Sequence, residues 1–323
     1  MRNFAIGILT MYLLSMVIAY IADAEKKPSY PNLKVSGYIQ ARYTMDKDEV
    51  NDFQAKRARG KFSGNVSEKI KYSLLFDFID DKHGSNLADA YIDVNYLPQA
   101  KVRMGQFKTP FSMEYLTSST KWDTVELAQV VSKLGSKRDI GIQISGDVSP
   151  LVEYTVGVFN GTGSNAAEEN KRKDIIAHGV IKPLKGLLLG VSHYEGWSGK
   201  EDENKTKRRT GAQLSFIKEP LSVKGEFIFG KNGETSAYGW YAQLGYTLPI
   251  PLGKGSQRLQ AIVKYDSYDP NGDKEKDKTD IATVGLTWFI TKNAKLQVNN
   301  RLILNEDLEV DNDVVIAQFQ AIW

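Results

Sequence analysis

Arg57, Arg59 and Lys61 stand on alternate residues, separated by Ala58 and Gly60 and followed by Phe62. On an extended chain successive side chains point to opposite faces, so this spacing gathers three cations on one face and small or greasy groups on the other. A row of guanidinium and ammonium groups suits one kind of chemistry: trading an anion's hydration shell for charge-assisted hydrogen bonds. Arg does this through a fixed fork of donors. Arg42, Arg103 and Arg301 occupy comparable places in other alternating segments, with Lys264 and Lys295 as weaker candidates. Such a row passes an anion onward only if each contact is weak and the sites are several. Acidic residues are expected on the same face at Asp77, Asp89, Asp93, Glu226 and Asp266, where they would blunt the field.

Other chemistries are poorly supplied. His83, His178 and His193 are scattered over different segments, with none of the short paired spacings of a metal site. Without cysteine there is neither a disulfide nor a thiolate site. Gly161-Thr-Gly163 is followed by a charged loop where a phosphate cradle needs a helix N-terminus. No cofactor and no metal are expected. A formal net charge of +3 is too small an excess to point to a nucleic-acid partner.

The elements that must position these cations are strands. Lys34 to Met45 alternates Val35, Gly37, Ile39, Ala41 and Tyr43 against Ser36, Tyr38, Gln40, Arg42 and Thr44. Sixteen segments of this kind follow one another, ending at Asp313 to Trp323. Their connections alternate between long charged stretches and brief Pro/Gly-marked turns such as Leu97-Pro98 and Glu219-Pro220. Lys231 to Ser236 is counted among the long ones. A soluble sandwich has no reason to keep its long loops at one end, whereas an outer-membrane barrel does. An unpaired Arg at the bilayer midplane of a barrel costs roughly 2 to 4 kcal/mol, which sends Arg57, Arg59 and Lys61 inward and leaves Ala58, Gly60 and Phe62 for lipid.

The expected fold is therefore all-β, a transmembrane antiparallel barrel of about sixteen strands. Residues 1–24 read as a signal peptide, with Arg2, the apolar run Phe4 to Ile21 and the site Ala22-Asp23-Ala24. Residues 25–33 form a lead and 34–323 the barrel, placed in a bacterial outer membrane. The stretch Thr109 to Lys137 is too long for a hairpin turn. Asp123 with Glu126 reads as a capping box for a helix over Val125 to Leu134, stopped by Gly135. Folded into the lumen, this stretch would be a constriction carrying Lys121 and Lys133.

Several segments resemble the phosphate-selective porin O/P family: Lys56-Arg-Ala-Arg-Gly-Lys61, Asp89-Ala-Tyr-Ile-Asp93, Gly105-Gln-Phe-Lys-Thr-Pro-Phe111, Arg138-Asp-Ile-Gly141 and Gly157-Val-Phe-Asn-Gly161. The resemblance implies a sixteen-stranded homotrimeric porin with an arginine ladder along its lumen, an inward third loop, and phosphate or other small anions as solutes. The competing readings are a weakly selective general porin, an outer-membrane enzyme barrel, and an adhesin. An enzyme would need an activated nucleophile near one rim, and none is recognisable.

Overall fold

The structure is a computed structural model that describes residues 29–46, 51–79, 86–97, 99–168, 170–198, 205–250, 257–305 and 313–323. The expected signal peptide, residues 1–24, lies outside the described residues. The first eight strands are β1 (Lys34–Asp46), β2 (Asp52–Asn65), β3 (Ile70–Asp77), β4 (Leu87–Leu97), β5 (Ala100–Lys108), β6 (Arg138–Ser149), β7 (Val152–Phe159) and β8 (Asp174–Leu184). The second eight are β9 (Leu187–Ser198), β10 (Lys205–Lys218), β11 (Leu221–Asn232), β12 (Thr235–Ile250), β13 (Gln257–Asp269), β14 (Thr279–Phe289), β15 (Ala294–Asn305) and β16 (Val314–Ile322). Each pairs antiparallel with its sequence neighbours, and β1 pairs with β16 from Tyr38↔Ile322 to Asp46↔Val314. The barrel is closed, so no backbone edge is left to meet hydrocarbon.

Its two surfaces are inverted relative to a soluble protein. Gln40, Gln297, Gln318 and Gln320 are buried, while Ile39, Met104, Val191, Val263 and Val284 are exposed. The period-two alternation explains this directly, since polar parity turns inward and apolar parity outward. No helix among the described residues is long and apolar enough to cross a membrane.

Two local expectations need correction. Lys231 to Ser236 is not a long connection: β11 ends at Asn232 and β12 begins at Thr235, with Gly233 at φ 62° making the turn. Nor do Asp123 and Glu126 cap a helix. Helix α1 (Met113–Leu116) is followed by a 3-10 turn (Ser119–Lys121), and helix α2 starts only at Gln129 and runs to Leu134, with Ala128 at its N-cap and no side-chain capping bond. Asp123 instead accepts from Lys224 Nζ at 2.5 Å and Gln243 Nε2 at 2.7 Å, and Glu126 from Arg42 Nη1 at 2.5 Å. A charge-assisted bond to a partly buried cation is stronger than a cap to a neutral amide, so the wall takes both carboxylates from the local backbone. Gly135 does close the helix, its N–H donating to Val130 O at 3.2 Å.

The segment 109–137 reaches β1, β11, β13 and β15 at once, which is possible only from within the barrel. A kink prepares its entry. Gly105 has φ 130°, and a Cβ there would sit 2.2 Å from Ala90 O, so only glycine lets β5 bend against β4. Thr109 N then bonds Lys137 O at 3.2 Å, tying the two ends of the segment together as it leaves the wall.

Candidate functional site in the lumen

The inward segment is fixed to the wall by two devices. The first is a dry apolar cluster. Phe107, Phe159, Ile176 and Ile228 project from the wall onto Phe111 and the α2 residues Val130, Val131 and Leu134, all nearly or wholly buried. This fills the side of the lumen bounded by β5, β7, β8 and β11, where a uniformly wet lining was expected from alternation.

The second device is a set of ion pairs and carbonyl anchors. Arg42, only 6% exposed, holds Glu126, accompanied by Lys56 at 3.9 Å. Lys264, 2% exposed, holds Glu114 at 2.8 Å, and Lys295 Nζ donates to Trp122 O at 2.9 Å. Glu226 accepts from the backbone N–H groups of Met113 and Glu114, at 3.1 and 2.6 Å. Burial pushes the Glu126 carboxyl up, but Arg42, Lys56 and Arg57 outweigh it and hold the group below the usual carboxylate range. Three of the sequence-predicted cations, Arg42, Lys264 and Lys295, are therefore committed to the loop.

A second group of cations gathers on the other side, against β1 to β6. Arg57 Nη1 donates to Gln40 Oε1 at 2.9 Å, and its guanidinium lies 5.0 Å from the Trp122 ring. Arg59 donates through Nε to Asp77 at 2.7 Å and through Nη1 to Tyr38 OH at 3.0 Å. Arg138 donates through Nε to Asp89 at 2.7 Å. Lys108 Nζ reaches Tyr115 O and, at 3.1 Å, Thr117 O.

Two cavities meet among these groups. One, of about 370 Å³, is lined by Tyr38, Arg59, Lys61, Asp89, Lys108 and Arg138 and extends to Ser36 and Ile322, at the end of the barrel with the short turns. The other, of about 180 Å³, is lined by Arg59, Asp77, Tyr115, Lys137 and Arg138 and extends to Asn86 and Asn165, at the end with the long connections. They share Arg59 and Arg138. Together their walls carry Arg59, Lys61, Lys108, Lys137 and Arg138 against Asp77 and Asp89, five cations against two carboxylates. A third cavity of about 260 Å³, which shares Lys137 and Arg138 with the second, adds Lys133, Lys207 and Arg209 with Asp139.

The sequence-predicted residues thus separate. Arg57, Arg59 and Lys61 come together on the cationic side. Arg103 lies on the inward face but is held by Asp93 in a two-bond fork at 2.7 and 2.9 Å and stacks 3.9 Å from the Tyr91 ring. Arg301 shares the inward parity of Lys295, Gln297 and Asn299 but stands apart, paired in register with Thr283 and Val314. Lys133 lies at the long-connection end and Lys121 at the short-turn end, so the two do not share a site.

Alternation gives the wrong face for Arg138 and Lys56, which sequence reasoning misses; for Lys108, which shares parity with Val102 and Met104, a bulge in the fifth strand is the sequence alternative that turns it to the pore, and it lines the lumen cavity. Lys108 and Arg138 pair in register as the last and first residues flanking the inward segment, so they turn in with it. The length of that segment is the signal that points to its flanks. A register shift between Gln40 and Ala41 leaves Lys56 as the extra residue of β2, and both Lys56 and Arg57 then reach the lumen. Among the described residues no cluster fit to hold a metal is present, and Gly161 N–H donates to Asp139 where a bound phosphate would need it.

Comparison with known proteins bears on the family and the fold. The family described as phosphate-selective porin O and P matches residues 34–197 and 195–320. An uncharacterized protein of Aquifex aeolicus is 22% identical over 92% of this chain and 77% of that one. Among solved structures, OmpT of Vibrio cholerae superposes with TM-score 0.63 at 9% identity, covering 92% of this chain and 99% of that one. The outer membrane channel DcaP of Acinetobacter baumannii gives 0.62 at 12%, covering 92% and 99%. Salmonella typhi OmpF gives 0.64 at 8%, covering 90% and 97%. At such identities the likeness is one of fold. The closed sixteen-stranded barrel and the family match make the protein an outer-membrane porin, and the chain belongs to the phosphate-selective porin O and P family.

Proposed function

We propose that the barrel conducts small anions passively along the β1 to β6 side of its lumen, past Arg59 and Arg138. The observation that carries this reading is the surplus of cations, five against two, where the cavities from the two ends meet. The carboxylates orient more than they neutralise. Asp77 and Asp89 each take an Nε–H, and among the described residues Arg138 Nη1 and Nη2 and Arg59 Nη2 donate to no protein acceptor. An arriving anion finds pre-aimed donors and brief contacts at several sites, the combination that conduction requires.

Phosphate or polyphosphate is the solute suggested by the family's description. The assembly is a homotrimer on this reading, in line with the trimer form of Vibrio cholerae OmpT. Residues 1–24 export the chain to the outer membrane, where lipid contacts the apolar face. The process needs no cofactor and no covalent step, so the protein is not an enzyme. A second reading, a weakly selective general porin, draws on the pairs Arg59–Asp77, Arg138–Asp89 and Arg103–Asp93. Zero-current potentials in planar bilayers separate the two. Under a potassium phosphate gradient the first reading gives a potential of the sign set by anion flow, larger than the second allows. A potential near zero would favour the general porin, and one of the opposite sign would end the anion reading.

A further inference from the structure

The lumen also holds a cavity of about 400 Å³ whose walls differ from those of the cationic route. It is lined by Met113, Trp122, Leu188, Ile217 and Tyr241, with Lys121, Glu114 and the Lys224–Asp123 pair also on its walls. Leu188 follows the turn at Lys185-Gly186 and Ile217 precedes the turn at Glu219-Pro220, so the cavity lies at the short-turn end. It adjoins a cavity of about 320 Å³ through Lys121, Trp122 and Asp123, and that one in turn meets the cationic route at Thr120 and Ile322. At its other end Tyr241 belongs to the dry cluster around Phe111 and Ile228, which closes it. It is a blind alcove beside the route.

A water-filled lumen gains nothing from presenting Ile217 at 49% exposure, and covering such side chains is favourable. Trp122 offers a ring whose indole N–H is already committed to Thr117 O at 3.2 Å, with a guanidinium beside the ring at Arg57. Both acids are also committed: Asp123 to Lys224 and Gln243, Glu114 to Lys264 and the Ala128 N–H. Lys121 is exposed and makes no ion pair among the described residues. The alcove thus combines a planar apolar body with one uncommitted cation at its mouth, in a volume typical of small-molecule sites. We infer that it binds aromatic monocarboxylates, the ring resting between Trp122, Leu188 and Ile217 and the carboxylate on Lys121. This site is independent of anion conduction, because no residue of the Arg59–Arg138 cluster lines it.

The test uses the full-length porin in a planar bilayer with 3-phenylpropionate as probe and propionate as its ring-free counterpart. 3-Phenylpropionate added at the short-turn side should reduce the anion current in a concentration-dependent way, because its carboxylate on Lys121 adds a fixed negative charge at the alcove's mouth beside the route, and propionate should not. Ile217→Trp, which fills the alcove, should raise the half-blocking concentration at least about tenfold while leaving unblocked conductance and zero-current potential unchanged. Lys121→Gln should raise it by about tenfold, the worth of one charge-assisted contact. Quenching of tryptophan fluorescence by 3-phenylpropionate, lost in Trp122→Phe, reads the site without any current and so separates its failure from failure of the anion channel. Equal block by propionate or by a neutral sugar, block indifferent to Ile217→Trp, or quenching that survives Trp122→Phe would each overturn the assignment.

Discussion

Removing Arg59 and Arg138 together, as Arg59→Ala with Arg138→Ala, should collapse the anion preference of the channel. The two cavity walls would pass from five cations against two carboxylates to three against two, with Asp77 and Asp89 stripped of their partners. For an ion about 8 Å from each lost charge, water-like screening gives roughly 0.5 kcal/mol per charge, hence about 1 kcal/mol for the pair. That is about fivefold less anion in the constriction and about fivefold more cation, so the permeability ratio should fall by about 25-fold at low ionic strength. The fall should shrink in about 0.1 M salt, where the Debye length is about 10 Å. Zero-current potentials across a KCl gradient, taken at both ionic strengths, measure it. Asp77→Asn with Asp89→Asn should move the potential the other way. If neither double variant changes the potential, the current does not pass these residues and the electrostatic reasoning fails.

Three further outcomes follow from the way the loop is held. Because cations depress the Glu126 carboxyl, its contribution to loop anchoring is complete above the ordinary carboxylate range and is lost only as pH falls through its lower folded value; single-channel records should therefore stay quiet through the ordinary carboxylate range and become noisy only at more acid pH, whereas Glu126→Gln should be noisy at neutral pH as well. Phe111→Ala empties the centre of the dry cluster at a cost of about 3 to 5 kcal/mol, which should appear as larger current fluctuations and a lower temperature for loss of the folded band on gels. Gly105→Ala forces a Cβ against Ala90 O at a positive φ, so it should reduce the yield of folded barrel on refolding into detergent while Gly179→Ala, whose Cβ would meet nothing nearer than Val191 Cγ2 at 4.0 Å, should reduce it far less.

The barrel was legible because its physics is local. Each strand is written as polar and apolar residues in alternation, and the placement of Arg57 and Arg59 inside needs nothing beyond that parity and the cost of charge in lipid. What parity does not encode is the third dimension of the lumen. Arg42 and Lys264 read as members of a ladder, yet each meets a carboxylate of the inward loop more than eighty residues away in sequence. Asp123 and Glu126 read as a local cap for the same reason, since the cations that claim them lie on distant strands. Phe107, Phe159 and Ile228 sit on the inward face, where alternation alone expects water, and only the docked helix explains them. Arg138 was hidden by the break in parity where the chain leaves the wall, and Lys108, its partner in register, is legible only if that break is allowed for.

The claim on which the rest depends is that Arg57, Arg59 and Lys61 of β2 face a water path while their neighbours Ala58, Gly60 and Phe62 face lipid. The chain contains no cysteine, so single-cysteine variants have no background. Arg59→Cys and Ala58→Cys, each treated with an anionic, membrane-impermeant thiol reagent during bilayer recording, compare the two faces one residue apart. The account predicts rapid modification at position 59 with a fall in anion current, and no reaction at position 58. Reaction at 58 with silence at 59 would contradict it outright.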